Sequence, residues 1–260
     1  MFGGLPGLLE FKASLMASHG FVTLALAFIC PELKPTLTDD NRECIELDYF
    51  QRAVRHLTGH RRVRSSAGVG VVSICFSSHI SLLMAALMPA VRCVVTTNGH
   101  PWTLSHDYTL RGASVAAATH PGFFSVPGAK HGDAIFPRYS AAELRAAGSG
   151  LIKFYERRDV GFMMIAGLDD QHVPSPYFAD LFEGLMAESD HPDYRVLRYR
   201  GTGHLIEPPH APVNLKSRFY GAAVSWGGRA EEQAAAASDA WMKQLDFLSE
   251  HLMVVKAAHL

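Results

Sequence analysis

Short, nearly continuous apolar runs alternate along this 260-residue chain with longer segments of helical period. Runs of that kind belong to parallel strands covered on both faces, because neither face is left to carry polar side chains. Residues 21–28, 69–74, 91–97, 161–166 and 195–199 have strand length and composition. Residues 8–18, 41–58, 78–88, 174–187 and 230–252 read as the helices among them. Thr38, Asp39 and Asp40 offer a cap for the second helix, Pro89 stops the third, and Pro174 and Pro176 suit the first turn of the fourth. The alternation predicts an α/β fold, a doubly wound and mostly parallel sheet with right-handed crossovers. Residues 98–150 break the rhythm. They are rich in Gly, Pro, Ser and His and too long for an ordinary connection, which predicts a lid or substrate-facing excursion.

Charge narrows the possible partners. Lys and Arg number 24 against 25 Asp and Glu, so no bulk field draws nucleic acid or an anionic membrane, and neither is expected as a partner. An anionic ligand would have to be held locally. The cysteines are Cys30, Cys44, Cys75 and Cys93, with no CxxC or CxxH spacing. They are too sparse for a disulfide framework and lack zinc-site spacing, which predicts reduced thiols in an intracellular compartment and no bound metal. The longest apolar run, residues 21–30, is about half the roughly 20 residues a spanning helix needs, and it lacks the flanks of a signal peptide.

Three segments carry chemistry. Val69 to Ser78 runs as a buried strand straight into a helix, through a turn reading small–x–nucleophile–x–small with Ser73, Cys75 and Ser77 in those places. Centring the turn on Ser77 would put His79 where a small residue is needed, and centring it on Ser73 would put the turn inside the strand. Cys75 is therefore the candidate nucleophile, at a helix N-terminus where backbone N–H groups favour the thiolate. The second segment, residues 163–170, is an apolar strand ending in Gly167-Leu168-Asp169-Asp170, which places a carboxylate where it can orient a histidine. Asp170 is favoured over Asp169 because it lies deeper in the turn. The third, Gly201-Thr202-Gly203-His204, uses glycines to let a loop carry an imidazole over the sheet. The chain order nucleophile, acid, histidine is that of the α/β-hydrolases. In that arrangement the N–H after the nucleophile, here Phe76, pairs with one from an early glycine turn, here Gly4 or Leu5, to hold an oxyanion.

With these residues in place the chain resembles the C-terminal domain of the acyl-CoA thioesterase and bile-acid-CoA:amino-acid N-acyltransferase family. The likeness is carried by Phe2-Gly3-Gly4-Leu5-Pro6-Gly7-Leu8-Leu9-Glu10, the elbow from Gly70 to Ser77, Asn98-Gly99, Gly203-His204-Leu205-Ile206-Glu207-Pro208-Pro209 and Trp226-Gly227-Gly228. It implies an α/β-hydrolase-like domain over residues 1–260, with the family's N-terminal β-sandwich and the early sheet strands absent. It also implies a Cys75–Asp170–His204 triad and an acyl-CoA substrate, with no cofactor besides that coenzyme A thioester. In the family, cysteine at the elbow leans toward transfer to glycine or taurine, while hydrolysis stays open. The other expectations are a dienelactone-hydrolase-like esterase and a truncated relative that only binds acyl ligands. Ala258-His259-Leu260 resembles a small–basic–leucine peroxisomal address, so peroxisomal or cytoplasmic residence is expected.

Overall fold

A computed structural model describes residues 1, 8–28, 36–37, 43–103, 106–117, 140–147, 151–219 and 222–253. Its centre is a parallel sheet of β3 (Val69–Ile74), β4 (Val91–Thr97), β7 (Gly161–Gly167) and β8 (Tyr194–Tyr199), adjacent in that order. Each strand coincides with one of the apolar runs, and β7 is buried at every position. Helices α3 (Ser77–Leu87) and α5 (Ser175–Glu188) cover one face, and α6 (Ala230–Leu252) packs on all four strands from the other. Alternate strand residues feed two cores. Val94, Phe162 and Met164 join the core under α3 and α5, while Cys93, Val95, Met163 and Ile165 join the one under α6. The fold is α/β with a mostly parallel sheet, as the alternation predicts. Among the described residues no helix is long and apolar enough to cross a membrane.

Two segments depart from expectation. Residues 21–28 were expected as a strand, yet they pair with nothing in a ladder. A strand needs a partner edge, and an approximately 170 Å³ cavity lies between Thr23, Leu24, Ala25 and Leu26 on one side and the edge of β3 on the other. Local contacts hold the segment instead: the Thr23 hydroxyl donates to Ala13 O, Tyr49 Oη donates to Ala27 O, and Phe28 packs on Phe50 and Phe76. Among the described residues no strand flanks β3 on the side away from β4; the Met1 amine donates to Val72 O there.

The helix expected over 41–58 begins only at Asp48, as α2 (Asp48–Thr58), because β2 (Glu43–Glu46) precedes it. The run Glu43-Cys44-Ile45-Glu46 pairs in parallel with β5 (His106–Leu110), burying Cys44, and the next residue, Leu47, is fully buried. The proposed capping residues Thr38, Asp39 and Asp40 lie outside the described residues. β5 turns back through Arg111 and Gly112, both at positive φ, into β6 (Ala113–Ala116). With β1 (Thr36–Leu37) these strands form a second sheet in the order β1-β2-β5-β6. Part of the 98–150 excursion is thus regular structure, including α4 (Ala141–Ala147); residues 118–139 lie outside the described residues. Finally, β9 (Lys216–Phe219) and β10 (Ala222–Ser225) form a hairpin that delivers Trp226.

Candidate active site

The elbow begins where β3 stops. Cys75 adopts φ 55°, the left-handed region that L-residues other than glycine visit at a cost. Its surroundings hold it there. The Cys75 N–H donates to Thr97 O at 2.8 Å, Ser78 N–H donates to Cys75 O at 3.0 Å, and the Ser77 hydroxyl donates to Ile74 O at 2.9 Å. The need for small neighbours is visible: Ser73 and Ser77 are buried, Ser73 and Ser81 share a hydrogen bond, and a Cβ on Gly99 would stand 2.0 Å from the Ser78 side chain. Cys75 remains partly exposed at the start of α3, whereas Cys44 and Cys93 are buried.

The carboxylate comes from the turn after β7. Asp170 Oδ1 accepts from the N–H groups of His172 (2.8 Å) and Val173 (3.1 Å), and Oδ2 accepts from the Ser175 hydroxyl and from His204 Nδ1 (2.7 Å). Asp169 faces elsewhere, accepting from the Gly228 N–H. Of the two aspartates, Asp170 is the one that reaches His204.

Several elements fix the His204 loop. Its N–H donates to Trp226 O, and its carbonyl accepts from Asn98 Nδ2 at 2.6 Å. Asn98 Oδ1 in turn accepts from the Gly167 N–H, which ties the ends of β4 and β7 to the loop. From α6, Gln233 accepts from Gly203 N–H and donates to Leu205 O. The glycine at 203 is required by proximity, since a Cβ there would lie 2.3 Å from Gly227 O. The buried imidazole stacks on Trp226 with centroids 5.6 Å apart. Burial alone would depress its pKa, but the charges of Asp170 and Cys75 outweigh that and lift it to about 10. One ring nitrogen of His204 lies within 4.8 Å of the Cys75 sulfur.

Residues 45–254 match the family described as BAAT / acyl-CoA thioester hydrolase C terminal. The chain belongs to this family. It is 34% identical over 274 residues to the bile acid-CoA:amino acid N-acyltransferase of Homo sapiens, covering 97% of this chain and 59% of that one. With the peroxisomal succinyl-coenzyme A thioesterase of Mus musculus the identity is 30%, and with acyl-coenzyme A thioesterase 1 of Homo sapiens 29%, at the same coverages. The chain therefore spans 59% of the length of these relatives.

In this member of the BAAT / acyl-CoA thioester hydrolase family, sequence reasoning missed three contributors to the site. Asn98 and Gln233 position the histidine loop through contacts that only the folded chain makes. His172 sets its ring edge-on to His204 (4.7 Å) and to Trp226 (4.8 Å), with a nitrogen within 4.8 Å of the Cys75 sulfur. Its place two residues past the acid was the available signal, lost among 14 histidines. Trp226-Gly227-Gly228, one of the segments that carry the family likeness, presses on the site: Gly227 bridges to Asp170, and its φ of 79° is one glycine accepts. Of the expected oxyanion donors, Phe76 follows the nucleophile with its ring buried against Phe28, His79 and His106; Gly4 and Leu5 lie outside the described residues, as does the Ala258-His259-Leu260 tail.

Proposed function

We propose that this chain is an acyl-transfer unit in which Cys75 takes an acyl group from a coenzyme A thioester and passes it to glycine, taurine or water. One observation carries the reading: a thiol on a left-handed elbow lies within 4.8 Å of a His204 ring nitrogen, and His204 Nδ1 is 2.7 Å from a buried carboxylate. Relatives named as acyl-CoA thioesterases and amino acid N-acyltransferases support it.

With a pKa of about 10, His204 holds a proton at neutral pH beside the sulfur. The sulfur attacks the thioester carbonyl, and the oxygen becomes an oxyanion that the Phe76 N–H stabilises, with Gly4 or Leu5 supplying a second donor. The carbon–sulfur bond to coenzyme A breaks, and His204 gives its proton to the departing thiolate. An amine then attacks the acyl-cysteine and yields its proton to His204. Collapse of that intermediate releases the amide and restores the thiolate beside the imidazolium. Asp170 holds the ring orientation and balances the imidazolium charge throughout. An acyl-cysteine is itself a thioester, which favours amines over water more than an oxygen ester does.

The test mixes reduced protein with palmitoyl-CoA and follows thioester loss and intact mass. We expect an acyl adduct on Cys75, lost together with coenzyme A release in Cys75→Ala. Asp170→Asn should slow release by on the order of 10²–10⁴-fold. Undiminished release from Cys75→Ala would refute the nucleophile. Amide formed with added taurine or glycine marks transfer, and free acid alone marks hydrolysis.

A further inference from the structure

We propose that Cys75, His172 and His204 form a site for one soft divalent cation of the zinc class, and that its occupancy switches acyl transfer off. The three side chains come from different elements, the elbow, the turn after β7 and the loop after β8, yet one ligand atom of each lies within 4.8 Å of the others. Tetrahedral zinc binds imidazole nitrogen at about 2.0–2.1 Å and thiolate sulfur at about 2.3 Å, so its ligand atoms stand roughly 3.5 Å apart. Small side-chain rotations, on the order of 1 Å, close the triangle.

The surroundings match the requirement as well as the donors do. Asp170 takes the Nδ1 side of His204 at 2.7 Å, leaving Nε2 for the cation in the carboxylate–histidine–metal arrangement. Trp226 packs against both imidazoles and limits their swing. Cys75 and His172 are partly exposed, which gives an ion a way in, while His204 and Asp170 are buried behind them. Three protein ligands leave a fourth position for water or a thiol. Acyl transfer as read above has no use for His172, whereas a cation has.

On binding, one Zn–S and two Zn–N bonds form, and the proton shared by the Cys75–His204 pair goes to solvent; nothing is oxidised or reduced. The ion occupies the sulfur lone pair that attacks the thioester and the nitrogen that carries the proton. Inhibition therefore rests on the nucleophile assignment, but metal binding does not.

The reduced, chelator-treated full chain is titrated with Co²⁺ by absorbance and with Zn²⁺ by calorimetry. We expect one ion per chain, a near-ultraviolet thiolate-to-cobalt band and tetrahedral visible bands. Cys75→Ser should remove the near-ultraviolet band, and His172→Gln should weaken binding at least about 10-fold, as should Asp170→Asn. Circular dichroism checks that each variant is folded. Absence of the bands, or unchanged affinity in both Cys75→Ser and His172→Gln, overturns the site. The two readings fail separately: an acyl adduct on metal-free protein without cobalt binding leaves acyl transfer standing, and cobalt bound with no adduct leaves the metal site alone.

Discussion

At Cys75 the chain keeps a side chain at φ 55° where glycine would sit without steric cost, and the residue's chemistry gives a reason for doing so. His204, by contrast, adds stability through its proton. Its folded pKa of about 10 stands above the ordinary 6.5, so protonation stabilises the fold. That contribution is complete below pH 6.5 and is lost as pH rises through about 10. Urea unfolding of the parent and of His204→Gln should therefore show a stability gap that is widest near pH 6 and narrows toward pH 10. A gap that stays flat across that range would mean the imidazole does not hold its proton beside Asp170. Cys75, Asp170 and His204 were legible because each sits at a strand end whose local pattern is distinctive. His172 was not, because its closeness to the sulfur follows from the path of the turn after β7 and from no spacing in the sequence.

Among the elements, the histidine loop is the most heavily constrained. Gly203 is clamped between Gly167 and Gly227: a Cβ on Gly203 would meet Gly227 O at 2.3 Å and Trp226 O at 2.5 Å, both backbone atoms that cannot swing aside. Gly203→Ala should cost about 1–3 kcal/mol in urea unfolding, as overpacking does, and slow Cys75 acylation by displacing His204. A variant with parent stability and acylation rate would show that the loop has slack. The sequence marked these glycines as loop-permitting. It did not disclose that they are needed for close approach, since the strands and hairpin that crowd them are distant in the chain.

Over the whole molecule, one parallel sheet separates two cores, and α6 packs over the second against all four strands, joined there by Met16 and Ile206. Phe247 is fully buried there, packed beside His251 and beneath Arg195, whereas Met242 on the same helix is 55% exposed. Phe247→Ala should lower unfolding free energy by about 3–5 kcal/mol. Met242→Ala should change it by no more than about 0.5 kcal/mol. Equal effects would contradict the helix's orientation on the sheet. Leu8, Phe11, Leu15, Val22 and Leu24 are exposed large apolar side chains, and of these Leu24 lines the cavity beside β3.

Local patterning was enough for β3, β4, β7, β8, α3, α5 and α6, because burial on both sheet faces imposes unbroken apolar runs and helical period needs no distant partner. The elbow was legible for the same reason: strand, small residues and helix lie within ten consecutive positions. Folding alone decided that residues 21–28 lack a ladder and that Glu43–Glu46 is a strand, since strand formation depends on an edge supplied from elsewhere. It also decided that Asn98 and Gln233 hold the backbone of the His204 loop while His172 packs on its ring. Hydrogen bonds and ring contacts across 30 to 106 residues of sequence leave no periodic trace.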